Sequence, residues 1–169
     1  MKNTFLKLFL IILILASNSF RSNATTTSEK ENAYGIMINR VLTLVELSGK
    51  NTIAFVTTDN KKEENRTIQE FLRENNYTVN VYSLNEVKSI TESIILLSSD
   101  IMMSSLKISK ENKINFSPNI DDLKNSSASF SIKEIGGLHR IYISEGFFKN
   151  NNIKLDKRLI RVAIIISSK

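Results

Sequence analysis

The chain contains no cysteine, no tryptophan, one proline, one histidine and only five glycines in 169 residues. Each scarcity closes a route. Without cysteine there can be no disulfide framework and no acceptor for a lipid anchor, so the fold must be held by its core. His139 is the only imidazole, and one imidazole with carboxylates is poor ligand chemistry for zinc. Any nucleophile-plus-imidazole arrangement would have to be built around that one residue, and no G-x-S-x-G turn supports one. The stretch "FVTTDNKKEEN" after the first predicted strand has no glycine, so its backbone cannot approach a pyrophosphate closely. His139 therefore reads as a half-exposed strand residue. The acidic pairs Glu63-Glu64 and Asp121-Asp122 are sequence neighbours whose side chains diverge, which suits a solvated face or a helix first turn rather than acid/base work. No catalytic, cofactor-binding or metal site is expected, and the chain reads as a non-enzyme.

What is present begins at the N-terminus. Lys2 and Lys7 precede an unbroken apolar run from Leu8 to Ala16, followed by a polar stretch ending in Ser22-Asn23-Ala24. This is the pattern of a secretory signal peptide over residues 1–24, with cleavage expected after Ala24. The run is too short to span a hydrocarbon core, which needs about 20 apolar residues. Removing residues 1–24 takes away three basic residues and no acidic one, leaving 20 basic against 17 acidic. So small an excess is not the footprint of a nucleic-acid binder, which neutralises several phosphates from one face.

A polar, flexible lead is expected over residues 25–32, then one domain over residues 33–169. "AYGIMINRVLTLVEL" carries apolar residues at helical spacing and predicts a helix over 33–47. "NTIAFVTT" (51–58), "YTVNVYSL" (77–84) and "SIILLSS" (93–99) predict strands, the last of them apolar enough to be buried on both faces. Between them "KKEENRTIQEFLREN" (61–75) predicts an amphipathic helix, and "LNEVKSI" can hold a turn or two more. "DIMMSSLKISK" (100–110) predicts a helix with Asp100 as its N-cap. "INFSP" (114–118) reads as a strand stopped by Pro118, and "NIDDLKN" as a short helix. "ASFSIKEIGGLHRIYIS" (128–144) predicts a hairpin, because Gly136-Gly137 supplies the positive φ that tight primed turns require. The alternation predicts an α/β domain with a mainly parallel sheet flanked by helices and ending in an antiparallel hairpin.

From Leu155 onward, Leu155, Leu159, Val162 and Ile166 recur at steps of four, three and four, widened by Ile160 and Ala163, with Lys154, Lys157, Arg158 and Arg161 on the other side. A terminal amphipathic helix packing on its own domain is expected. Phe147 and Phe148 precede it. Adjacent phenylalanines on a strand cannot both point inward, so one is expected at the surface. Phe147, Phe148, Arg158 and Arg161 are the candidate partner-binding residues, since aromatic and arginine side chains are over-represented at interface centres.

The order "AYGIMINRVLTLVEL", "NTIAFVTTDN", "SIILLSS" and "SFSIKEIGGLHRIYISEGFFKNNNIKLDKRLIRVA" resembles the YfiR family of periplasmic proteins across residues 33–165. The resemblance rests on the order of elements: opening helix, strand, apolar strand, Gly-Gly hairpin, asparagine-rich joint and basic-apolar terminal helix. It does not extend to relatives' disulfides or to the tryptophan that commonly ends their first helix. It implies a periplasmic regulator that binds an inner-membrane signalling protein, typically a diguanylate cyclase whose cyclic-di-GMP output it restrains, or else a sensor kinase. A homodimer is compatible with that role. The alternative is an exported small-molecule-binding domain with its pocket at the strand ends.

Overall fold

A computed structural model describes residues 27–45, 51–58, 65–108, 113–151 and 153–167, with the side chains of 27–31 excepted. The expected signal peptide, the Glu63-Glu64 pair and the start of the predicted 61–75 helix lie outside the described residues. The chain divides into two units, residues 1–30 and 31–169. Of the first, only the opening turn of helix α1 (Thr27–Thr43) is described. No described helix is long and apolar enough to cross a membrane.

The second unit is one seven-stranded sheet in the order β2-β1-β3-β4-β5-β6-β7. Its strands are β1 (Thr52–Val56), β2 (Thr78–Tyr82), β3 (Ile94–Leu97), β4 (Ile114–Phe116), β5 (Phe130–Ile135), β6 (Leu138–Ser144) and β7 (Ile164–Ile166). All neighbours pair parallel except β5 and β6, which form the hairpin. This is the α/β architecture that the alternation predicts. β3 is buried throughout because it lies between β1 and β4 and is covered on both faces, which is why its sequence is an uninterrupted apolar run. The hairpin turns at Gly136 and Gly137, at φ of 60° and 78°, the left-handed pair that a two-residue primed turn needs.

Strand side chains alternate between faces, and the two faces are covered differently. One carries Ile53, Phe55, Ile94, Leu96, Phe116, Phe130, Ile141 and Ile143. It packs against Ile38, Val41 and Leu42 of α1, Ile68 and Leu72 of α2 (Arg66–Glu74), Phe147 and Phe148 of α4 (Glu145–Asn151), and Leu159 of α5 (Lys157–Val162). Gly35 marks the close approach of α1 to α2, since a Cβ there would lie 2.8 Å from the Phe71 ring. The opposite face, with Ala54, Val56, Ile95, Leu97 and Tyr142, is covered by single-turn 3-10 segments at Val87–Ser89 and Met103–Ser105 and by the short helix α3 (Ile120–Lys124).

Four expectations are corrected. Helix α1 begins at Thr27, inside the stretch expected to be a flexible lead. The helix expected over 100–110 is, among the described residues, only the turn Met103–Ser105. Asp100 does not cap it. Its carboxylate instead accepts hydrogen bonds from Ser98 Oγ at 2.7 Å and Thr58 Oγ1 at 2.9 Å, tying the ends of β3 and β1 together. The turn's amides are taken by Asp122, which with Asp121 lies in the first turn of α3, one of the two places expected for that pair, and which, fully buried, accepts from the Met103 and Ser104 amides at 2.7 and 3.0 Å. Finally, the terminal helix stops at Val162, and Ile164–Ile166 form β7.

Candidate partner-binding surface

Residues 145–167 run from the end of β6 back to its side, over α4 and α5, to place β7 parallel to it. Because Phe147 and Phe148 sit on a helix rather than a strand, they are rotated by about 100°, and both can face the sheet. Phe147 is fully buried and Phe148 is 5 % exposed. Their rings meet edge to face at 5.6 Å, Phe148 meets Phe130 at 5.2 Å, and Phe130 stacks on Phe116 at 5.1 Å. The expectation of a surface phenylalanine is thereby corrected: both are core, Phe147 with no exposed surface and Phe148 with only the small part that lines the pocket described below.

After α4 the chain turns through Asn151, whose side-chain amide donates to the Phe147 carbonyl at 2.8 Å. Asp156 then caps α5, accepting from the Arg158 amide at 2.7 Å. The same carboxylate accepts from the Arg158 guanidinium at 2.7 Å, so Arg158 is exposed but folded back onto its own helix end. That side-chain pairing, followed by the Arg158 backbone amide, pulls the Asp156 carboxyl down to about 2. Arg161 is exposed in the last turn of α5. Leu159 is the one fully buried residue of α5, as the apolar stripe implies, but Val162 of that stripe is 50 % exposed. The six-residue helix ends there: Ala163 is extended, and the next three isoleucines follow the period of a strand.

Between α4, the 153–155 connection, α5 and β7 lies an open pocket of about 550 Å3. Its apolar wall is Ile143, Phe148, Ile153, Leu155, Ile160 and Ile165, and its polar rim is Glu145, Lys149 and Lys154. Ile160 and Ile165 are 42 % and 46 % exposed. Glu145 is held by Lys149 Nζ at 2.7 Å and by Ser167 Oγ at 3.0 Å, and these contacts lower its pKa in that order. Residues 145–167 carry five basic side chains against two acidic ones, and both acids are ion-paired within the segment. The pocket with its cationic border was not visible in the sequence as such. The signal available was the triple isoleucine after a basic helix, which fits a helical stripe and an edge strand equally well.

The other polar cluster is closed. Glu92 is buried and accepts from Asn80 Nδ2 and Tyr82 Oη at 2.8 Å each and from the Thr91 amide at 3.0 Å. Burial alone would raise its pKa, but these hydrogen bonds outweigh it and the net shift is downward. Accepting from Tyr82 also raises the pKa of that phenol. The network ties edge strand β2 to the segment before β3. His139 is half-buried in β6 opposite Glu134, as the sequence predicts. No group of three metal-ligating side chains occurs among the described residues. Comparison of the chain with protein-family models and with curated proteins finds no match.

Proposed function

We propose that this chain is an exported, periplasmic binding module that docks on an inner-membrane signalling protein, a diguanylate cyclase or a sensor kinase, and lowers its output. The observation that carries the proposal is the half-exposed apolar pocket with a cationic border, built by the terminal segment at one end of the sheet. A domain that needed this segment only for cover would turn Ile160, Val162 and Ile165 inward, whereas here they face solvent beside Lys154 and Arg161. The resemblance of the sequence to YfiR proteins, in the order of opening helix, strands, Gly-Gly hairpin and basic terminal helix, points to the same role. The docking residues are Ile160, Arg161 and Ile165, with Arg158 at the margin, and Phe147 and Phe148 support them from below.

Deleting the protein should raise cellular cyclic-di-GMP, and Ile160→Asp with Arg161→Glu should do the same at an unchanged protein level. Unchanged second messenger, with no membrane protein crosslinked to the wild type, refutes the regulatory role. Crosslinking to a sensor kinase instead keeps the docking role and changes the enzyme. Export is checked by mass spectrometry: the mature chain should begin at Thr25, and a full-length precursor in the membrane fraction would overturn it.

A second reading has one observation in its favour, because about 550 Å3 lies within the range of small-molecule pockets. Under that reading a metabolite screen should raise the melting temperature of the wild type and not of Ile160→Asp.

A further inference from the structure

We infer that the partner docks by strand addition: an extended acidic-apolar segment of the membrane protein pairs with the outer edge of β7 and places an apolar side chain in the adjoining pocket. This deepens the proposed regulatory reading and rests on it. β7 is the last strand of the sheet, and among the described residues no strand pairs with its outer side. An open edge is a row of unpaired N–H and C=O groups and a template for another chain. Natural edges are blunted by charge or proline, but β7 is Ile164-Ile165-Ile166, with the first two half-exposed.

The register fixes which side chain faces the pocket. Ile165 lies opposite Ile143, and both line the pocket, whereas Ile164 and Ile166 point to the other face of the sheet. A strand added beside β7 therefore sends alternate side chains over the pocket wall of Phe148, Leu155, Ile160 and Ile165. Main-chain bonds supply affinity in such a mode, and the pocket for alternate side chains supplies specificity.

Charge decides the occupant. Lys154 on the rim makes no ion pair among the described residues, and Lys157 and Arg161 are exposed on α5. A second copy would bring the same cationic border against itself, and like charges across an interface are unfavourable. An acidic segment neutralises it.

The probes are synthetic peptides in which valine alternates with glutamate, with a valine-lysine counterpart and two N-methylated copies, one blocked at every valine and one at every glutamate. Amides of adjacent strand residues point to opposite edges, so only one methylated copy loses the edge that meets β7. Titrated into the isotope-labelled mature protein and read by NMR, the acidic peptide should shift the Ile164, Ile165 and Ile166 amides and slow the hydrogen exchange of those that point away from β6. One methylated copy should bind at least about tenfold more weakly and the other within about twofold. Lys154→Glu should weaken binding, with the remaining amide spectrum unchanged. Equal binding of both methylated copies, or of the lysine peptide, overturns strand addition. So does a dimer by sedimentation that Ile165→Asp dissolves, since the edge would then belong to a second copy. If a membrane partner is crosslinked in cells while the β7 amides exchange freely in the complex, the docking mode fails and the regulatory reading stands. If cyclic-di-GMP is indifferent to the protein while the acidic peptide still pairs, the regulatory reading fails and the edge site stands.

Discussion

Asp122→Ala removes a carboxylate that three donors converge on: the Met103 amide at 2.7 Å, the Ser104 amide at 3.0 Å and the Ser117 hydroxyl. Hydrogen bonds to a charged acceptor contribute about 1.5–3 kcal/mol each, so a simple sum would be about 5–9 kcal/mol. Two effects reduce it. Deleting the carboxylate also removes the cost of burying it, and Ser117 Oγ retains the bond it accepts from the Asn119 amide at 3.1 Å. The Met103 amide is the hardest to satisfy again, because Met103 is fully buried. The expected loss is about 3–4 kcal/mol, a large part of the roughly 5–15 kcal/mol that holds a domain together. With a urea dependence near 2 kcal/mol per molar, the unfolding midpoint should fall by about 1.5–2 M at unchanged slope. Asp122→Asn, which keeps the shape and one acceptor, should lose about half as much. The backbone carbonyl of Asp122, which accepts from the Ser127 and Ala128 amides at 2.8 and 2.9 Å, is untouched by either change and does not confuse the comparison. An alanine variant within about 0.5 kcal/mol of the parent would refute the account of Asp122 as the clamp between α3 and the Met103–Ser105 turn.

Leu159→Asp places a charge where the parent side chain is fully buried against the sheet and should cost several kcal/mol, lowering the melting temperature; an unchanged one would show that α5 does not pack. Gly35→Ala should fail to deliver the roughly 1 kcal/mol that alanine gains over glycine in a helix, because its Cβ meets Phe71 at 2.8 Å, and Gly35→Val should destabilise outright. A clear rise in thermal stability for the alanine variant would contradict this close approach. Asp156 titrates at about 2 in the folded chain against an ordinary 3.8, so its capping contribution is present above pH 4 and fades as pH falls through 2. NMR titration should show this, with the Arg158 amide losing protection in the same window, and an Asp156 midpoint near 3.8 would rule the pairing out.

The strands were legible because burial on two faces leaves a strong mark: "IAFV" and "IILL" admit little else, and Gly136-Gly137 admits little but a primed turn. The helix expected from Asp100 failed for a reason no local pattern contains. Ile101, Met102 and Leu106 have helical spacing, but a carboxylate 19 positions further along, on another element, captures the Met103 amide and leaves one tight turn. The predicted hairpin ends at 144, where β6 does, but Phe147 and Phe148 beyond it are misread by strand alternation, since a strand separates neighbouring side chains and a helix can bury both. At the C-terminus Val162 and Ile166 satisfy a helical step of four, while Ile164–Ile166 equally satisfy an edge strand, and the free side of β6 decided between them. The terminal segment was recognisable as important, but its pocket depends on that late switch from helix to strand.

Of all the strand pairings, only β5 with β6 joins segments adjacent in the chain; every other pair waits for a crossover to close. A two-residue hairpin zips within microseconds, whereas non-local parallel pairing is slow because loop closure must precede any gain. The fast piece lies at residues 130–144, after the most apolar strands have been laid down. A chain delivered N-terminus first therefore carries "TIAFV" and "IILL" bare until its last third arrives. During that interval these two segments can find each other, which is native, or the same segments of a neighbouring chain, which is not. The yield of folded protein is set by the competition between the two encounters and should fall as the concentration of nascent chains rises.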